Sequence, residues 1–164
     1  MSLNSGSSQT QERLTKLALM GLFSGLIAAL APGRKSRLPP NLSSLDFTML
    51  GLAAFRMGRM TAYDVVAEPI REPFVETVED PSGAGMTTEP KGTGARKVVG
   101  ELMSCPICAG TWAAGGLVYG LRVAPAPTRL FLAIMSAAGV AEVLNSAVEA
   151  MQWTAQVKRE EAEE

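Results

Sequence analysis

The residues with the clearest chemical potential are two cysteines in a Cys105-Pro106-Ile107-Cys108 motif. A CxxC at a helix start is typical of thiol-disulfide oxidoreductases, because the helix dipole lowers the pKa of the first thiol. The same thiolates could form half of a zinc or iron–sulfur site that another chain completes. A third interpretation is structural, since Pro106 interrupts the helical ladder and cysteines pack well between helices. We favour the structural interpretation because no charged residue lies within three positions of either sulfur.

The composition argues against several other kinds of site. The chain has 164 residues and no histidine, which removes the commonest general base and metal ligand. Its net charge of −1 provides no basic field for nucleic acid. We therefore expect no nucleic-acid partner and no resident cofactor, while lipid or pigment contact stays open. A non-catalytic protein is favoured, and an enzyme that uses the two thiols is the alternative.

Two carboxylates and two arginines are candidates for ion pairing between helices. Glu142 and Glu149 lie seven residues apart, so they share one face of a helix. Arg56 and Arg59 lie three apart and share a face of an earlier helix. A charge at membrane depth must face protein, so we expect Arg56 or Arg59 to pair with Glu142 or Glu149. A structural pair is favoured over a proton relay.

Long uncharged segments indicate that these helices belong to a membrane protein. The chain is 47% hydrophobic but only 5% aromatic, as in closely packed membrane helices. About 20 apolar residues cross a bilayer core. The sequence therefore predicts an all-α, polytopic membrane protein with three to four transmembrane helices. The predicted segments are an anchor at 14–33 and helices at 45–63, 105–124 and 128–157. The helix at 45–63 is the weakest candidate for a membrane span, because it contains Arg56 and Arg59.

The rest of the chain is assigned around these segments. Residues 1–13 form a polar N-terminal segment, and residues 158–164 form an acidic tail. Between the second and third predicted helices lie an acidic loop rich in proline and glycine, at 64–94, and a short helix at 95–103. Residues 45–157 then form one membrane domain. With this topology, ten of the 15 lysines and arginines fall on one side, which places both termini in the cytoplasm.

Small and aromatic residues indicate how the helices pack and sit in the bilayer. Gly116 and Gly120 form a small-xxx-small spacing that favours close helix contact. Aromatic residues often anchor helices at the two membrane interfaces. The predicted anchors are Tyr63, Trp112, Tyr119 and Trp153.

Several of these motifs together carry a family resemblance. They are FRMGR at 55–59, EPIREPF at 68–74, GTG at 92–94 and GELMSCPICAGTW at 100–112. Over about residues 45–152 the chain resembles an uncharacterised bacterial membrane-protein family with a GEL..CP.C.G.W motif. This domain of unknown function includes a small sporulation-associated protein of Bacillus. The resemblance implies a membrane topology and no activity.

The expected function is an accessory or scaffolding subunit of a larger bacterial membrane complex, such as a photosynthetic or respiratory one. Its partners would be other membrane subunits and the lipid bilayer, and its location the bacterial cytoplasmic membrane. The alternative is a membrane thiol-disulfide protein, or a shared metal site, that uses Cys105 and Cys108.

Overall fold

The computed structural model describes residues 3–30, 43–79 and 86–163 of the chain. Six α-helices and a two-stranded hairpin follow one another along these residues. The elements are α1 (Leu3–Leu30), α2 (Ser44–Tyr63), a 3-10 turn (Val65–Ala67), α3 (Glu68–Arg71), β1 (Val75–Glu79), β2 (Met86–Pro90), α4 (Ala95–Ser104), α5 (Pro106–Val123) and α6 (Pro125–Glu163).

Helix α2 lies at the centre of the bundle. It begins with a capping box, in which the Ser43 hydroxyl accepts from the Asp46 amide at 3.1 Å and the Asp46 carboxylate accepts from the Ser43 amide at 3.2 Å. Its buried residues are all small: Ala53, Ala54, Gly58 and Ala62. Small side chains let neighbouring backbones approach closely, so α2 can be surrounded by other helices.

Residue contacts fix the directions of the long helices. A Cβ on Gly58 of α2 would meet Pro106 and Gly110, at the start of α5, whereas a Cβ on Gly110 would meet Ala54, one turn earlier on α2. Helices α2 and α5 are therefore antiparallel. Helix α6 runs parallel to α2, because Gly139 lies against Leu52 and Glu142 meets Arg59 further along both helices.

Helix α1 packs against α4 and α5. The Phe23 ring lies 5.1 Å from the Trp112 ring, centroid to centroid, and Arg122 Nη1 donates to the Ala29 carbonyl at 3.2 Å. Helix α1 is thus parallel to α5. Near the middle of α1, Lys16 pairs with Glu101 of α4 at 2.7 Å. The polar segment predicted at 1–13 is part of this helix from Leu3 onward, and residues 31–33 of the predicted anchor lie outside the described residues.

The predicted acidic loop contains the largest departure from the all-α prediction. In place of an irregular connector, the chain forms the 3-10 turn, α3 and an antiparallel hairpin with Val75 opposite Pro90 and Glu79 opposite Met86. The fold is thus mostly helical with one small sheet. Val75, Thr77 and Val78 make up most of β1, and Thr87 and Thr88 lie in β2; valine and threonine both favour strands.

Helix boundaries differ from prediction where a cap or a proline decides them. Helix α5 begins at Pro106 and not at 105, because Cys105 is its N-cap. Helix α6 extends over Pro125–Glu163, beyond the predicted 128–157 at both ends. Pro125 and Pro127 fit its first turn, where no backbone N–H is needed, and its last turns include most of the predicted tail.

Only some of the described helices are long and apolar enough to cross a membrane. Pro125–Arg159 passes this test, and the pair Ala95–Ser104 and Pro106–Val123 would add a second span if it counts as one span bent by 90°. The prediction of three to four spans goes beyond this finding. The hydrophobic core is small as well, with Ala53, Leu117, Leu121 and Leu132 at its centre.

Candidate functional site

The structure brings Arg56, Arg59 and Glu142 together at the C-terminal end of α2. Arg56 donates from Nη1 to Glu142 Oε2 at 3.3 Å, and Arg59 donates from Nε to Glu142 Oε1. Arg56 also donates from Nη2 to Asp64 Oδ2, just after α2 ends. The four side chains carry two positive and two negative charges, so this ion-pair cluster is neutral.

Partial burial lets the ion-pair cluster contribute to stability. The side chains of Arg56, Asp64 and Glu142 are 22%, 29% and 21% exposed, whereas fully exposed ion pairs contribute little. The Arg59 guanidinium also lies over the Tyr63 ring, 5.4 Å from its centroid. Each oxygen of Glu142 accepts from a different arginine, so Glu142 joins the two cations and holds α6 against α2.

Sequence analysis named three members of this cluster and missed Asp64. The other predicted carboxylate, Glu149, lies two turns beyond Glu142 and accepts from Asn145 Nδ2 at 2.7 Å. Asp64 meets Arg56 because the chain leaves the helix at that residue and adopts an extended conformation. In a continuous helix, residues eight apart would be separated by about 12 Å along the axis, so only the fold reveals this contact.

Asp64 also connects the cluster to the hairpin. Its carbonyl oxygen accepts from Nη1 of Arg71 at 3.0 Å, and Arg71 is only 7% exposed. The backbone carbonyl of Arg71 in turn accepts from the Phe74 amide at 2.8 Å, at the turn that precedes β1. The ion-pair cluster and the hairpin are therefore joined through one buried arginine.

The motifs behind the family resemblance meet where the hairpin contacts α4. The Phe74 carbonyl accepts from the Lys91 amide at 2.7 Å, and the Pro73 carbonyl accepts from Arg96 Nε at 2.6 Å. Gly100 lies so close to Phe74 and Pro90 that a Cβ would be 2.8 Å from Pro90 Cβ. EPIREPF and the start of GEL thus pack together, with Lys91 and Arg96 on either side of GTG.

The two cysteines lie at the bend between α4 and α5. Cys105 Sγ accepts from the Cys108 amide at 3.2 Å, which caps α5, and both thiols are free. The neighbouring Cys108 thiol, which donates a hydrogen bond to Cys105, lowers the pKa of the Cys105 thiol, and backbone amides at the start of α5 add to this effect. Cys108 is exposed, while Cys105 is partly buried. The arrangement therefore serves as a helix cap and leaves an accessible thiol pair.

Two apolar clefts flank this bend. A cleft of about 480 Å³ between α1, α4 and α5 is lined by Phe23, Trp112 and Cys108 and bordered by the Lys16–Glu101 pair. On the other side of α5, a groove of about 420 Å³ contains Ile107 and extends to Arg59. Ser104 Oγ, next to Cys105, is buried without a hydrogen-bond partner in the described part of the chain.

Within residues 3–30, 43–79 and 86–163, no group of three or more cysteine, aspartate or glutamate side chains is placed to hold a metal ion. A metal at Cys105 and Cys108 would need ligands from another chain, as the sequence-based alternative required.

The close helix contacts involve one of the predicted glycines, Gly120, and two others, Gly58 and Gly110. A Cβ on Gly58 would lie 3.0 Å from the Gly110 amide nitrogen, and one on Gly110 would lie 2.9 Å from the Ala54 carbonyl. A Cβ on Gly120 would lie 2.9 Å from Thr128 Oγ1 of α6, whereas Gly116 has nothing within 4 Å of such an atom. The spacing Ala54, Gly58, Ala62 on α2 was the sequence pattern that could have identified this crossing.

The predicted aromatic anchors occupy different surroundings. Trp112 packs on Phe23, and Tyr63 lies under Arg59. Tyr119 is half exposed, and Trp153 is exposed on the last part of α6.

Comparison with known proteins identifies relatives over most of the chain. A family model described as "Protein of unknown function (DUF1360)" matches residues 49–148. "Sporulation protein YjcA" of Bacillus subtilis (strain 168) is 33% identical over 110 residues, which are 65% of this chain and 93% of that protein. "UPF0713 protein YngL" of the same organism is 32% identical over 107 residues, 65% of this chain and 81% of that protein. No solved structure matches.

Proposed function

This chain belongs to the DUF1360 family of proteins of unknown function, and we propose that it is a non-catalytic scaffolding subunit of a bacterial membrane protein complex. In this role its helices pack in the bilayer against other subunits, and its hairpin contacts a partner at the cytoplasmic surface.

The observation that carries the proposal is the amount of apolar surface that the fold leaves exposed. On α1, the side chains of Leu14, Leu17, Met20, Leu22 and Ile27 are between 55% and 66% exposed. On α6, Leu130, Ile134 and Leu144 are similarly exposed, whereas Leu132 is the largest fully buried side chain. In water, so large an apolar surface would be costly. Lipid and neighbouring subunits would cover it.

The helix directions support four crossings in the bacterial cytoplasmic membrane with both termini in the cytoplasm. Helices α1 and α5 run one way, and α2 and α6 run the other, as a chain that crosses four times requires. The ion-pair cluster neutralises Arg56 and Arg59, which lowers the cost of placing α2 across the bilayer. Under this topology, Cys105, the cluster and the hairpin all lie at the cytoplasmic side.

The charge on the hairpin supports a basic partner. Glu76 lies directly opposite Glu89 in the antiparallel register, and both are exposed. Like charges opposite each other destabilise a sheet, so a cation from a partner would stabilise this pair. Glu68, Glu72 and Glu79 add exposed acidic groups nearby.

Photocrosslinking in intact bacterial membranes tests the proposal. A photoreactive amino acid at Glu76 should give a discrete adduct with another protein. The same group at Tyr119, a half-exposed residue in the C-terminal part of α5 and far from the hairpin, serves as the control. With the photoreactive group kept at position 76, charge reversal by Glu79→Lys and Glu89→Lys together should remove the adduct while alkaline extraction still leaves the protein in the membrane. A protein that is extracted at alkaline pH, or that gives no adduct at Glu76, would contradict the proposal.

The second candidate function is thiol-disulfide exchange by Cys105 and Cys108. The lowered pKa of Cys105 and the exposure of Cys108 favour it. Mass measurement after alkylation, on membranes prepared with and without a mild oxidant, should show a reversible loss of two alkylated thiols if this function is correct. Two thiols that stay free with and without the oxidant would contradict thiol-disulfide exchange, and scaffolding would be the one remaining proposal.

A further inference from the structure

Helix α6 carries an exposed apolar seam along most of its length. The seam consists of Leu130, Ile134, Ala137, Ala141, Leu144, Val148, Met151 and Ala155. All eight residues are exposed, and the five larger side chains are between 45% and 64% exposed. Consecutive members are separated alternately by four and three residues, which is the 3.5-residue period of a two-stranded coiled coil.

The seam lies on the side of α6 that faces away from the bundle. Leu132, Ser136 and Gly139 are buried, and Gly139 contacts Leu52 of α2. These residues occupy the helix face roughly opposite the seam. The contacts that hold α6 in the monomer therefore leave the seam entirely free for another chain.

Lipid alone does not account for the extent of the seam. Helix α6 has 39 residues and is about 58 Å long at 1.5 Å per residue, whereas a bilayer core is about 30 Å thick. Glu142 of α6 lies at the level of Arg59, one turn before α2 ends at Tyr63. Val148, Met151 and Ala155 thus continue the seam past the end of α2, and residues 143–159 are exposed on every side.

The residues that flank the seam permit two identical helices to pair in parallel. Asn145 and Gln152 border it on one side, and Ala147 and Thr154 border it on the other. None of them is charged, so identical chains would not repel each other there. The acids Glu142 and Glu149 lie outside these flanking positions. Copies inserted with the same topology also present α6 in the same direction and at the same depth, which aligns the two seams.

From the period, the length and the uncharged flanks, we infer that two copies of this chain associate in parallel through the seam of α6. Ala137 and Ala141 would let the two helices approach closely near the middle of the bilayer. Leu144, Val148 and Met151 would then form the interdigitated contact that continues beyond the membrane core. This dimer rests on the membrane insertion that we propose above but not on the scaffolding role, since a dimer could form with or without a further partner.

Cysteine crosslinking in native membranes tests the dimer. The background is the full chain with Cys105→Ser and Cys108→Ser. Leu144→Cys, Val148→Cys and Met151→Cys should each give a disulfide-linked dimer on mild oxidation, several-fold more than matched positions at similar depth on the other face. Those controls are Ser146→Cys, Glu149→Cys and Trp153→Cys.

The pattern of crosslinks separates the possible occupants of the seam. Equal crosslinking on both faces, or none on either, would mean that the seam contacts lipid and would overturn the inference. Adducts with a different protein at the seam positions would also overturn it. If the cysteine-free background does not insert, photobleaching of the wild-type chain with a fluorescent tag in nanodiscs decides the question. Two bleaching steps support the dimer, and single steps contradict it.

Discussion

Gly58 lies against Gly110 where α2 crosses α5, and a Cβ on Gly58 would be 3.0 Å from the Gly110 amide nitrogen and 3.1 Å from its Cα. The atoms in the way belong to the backbone, which cannot move aside as a flexible side chain can. The separation of these two helices is therefore fixed by the absence of a single methyl group.

Gly58→Ala should consequently destabilise the bundle by about 1–3 kcal/mol, because the helices must separate to admit the methyl group. Gly116→Ala is the matched control, since nothing lies within 4 Å of its added Cβ. It should be neutral or stabilise α5 by up to about 1 kcal/mol through helix propensity. Thermal unfolding in detergent or nanodiscs measures both. Equal effects of the two substitutions would show that the Gly58 crossing is not close.

Glu142→Gln should lower the free energy of unfolding by about 1–3 kcal/mol, since it leaves two partly buried arginines with one carboxylate. Glu149→Gln, two turns along α6 at an exposed site, should have little effect and serves as the control. The double variant with Arg56→Gln should lose less stability than the sum of the single variants, because it removes the unpaired cation. Additive losses would contradict the pairing.

The Cys105 thiol should react with an alkylating reagent at lower pH than an ordinary cysteine. Its lowered pKa increases the thiolate fraction, and the thiolate is the reactive species. Cys108→Ala removes the hydrogen-bonding thiol and should shift the midpoint of the rate–pH profile of Cys105 upward. Cys108→Ser retains a hydroxyl donor and should shift it less. A midpoint that is the same in all three proteins would show that Cys108 does not influence Cys105.

Cys105→Ser and Cys108→Ser together should leave the protein inserted and assembled if the cysteines serve only as a helix cap. A serine hydroxyl can accept the capping hydrogen bond, and Pro106 still fits the first turn of α5. Sedimentation with membranes and the size of the complex on a native gel measure this outcome. Dissociation of the complex, with zinc or iron detected in the wild type by elemental analysis, would support a metal site shared with another chain.

Cysteines introduced at exposed positions test the proposed topology in the background that lacks the native pair. Gln9→Cys, near the start of α1, should be protected from an impermeant thiol reagent in intact cells. Arg129→Cys, in the first turns of α6, should be labelled. Labelling of both sites after the membrane is opened provides the control. Labelling of Gln9→Cys in intact cells would place the N-terminus outside.

Local patterns in the sequence were sufficient for most helices. Uncharged runs and the positions of proline and glycine predicted the helices at 45–63 and 95–103 to within one residue, because helix formation depends on neighbours along the chain. The proline- and glycine-rich segment was harder to predict. Residues in its hairpin owe their conformation to packing against α4, where Gly100 contacts Phe74 and Pro90, and this packing involves distant parts of the chain.

The sequence by itself determined that this protein is mostly helical, belongs to an uncharacterised bacterial family and has arginines and acids on helix faces where they could pair. Only the tertiary structure decided that Glu142, and not Glu149, meets Arg56 across 86 residues, that Asp64 joins them and that Gly58 and Gly110 form the crossing. The physical reason is that spacing along a helix fixes which side chains share a face. The partner of each face depends on how the helices are stacked and how far each is shifted along its axis.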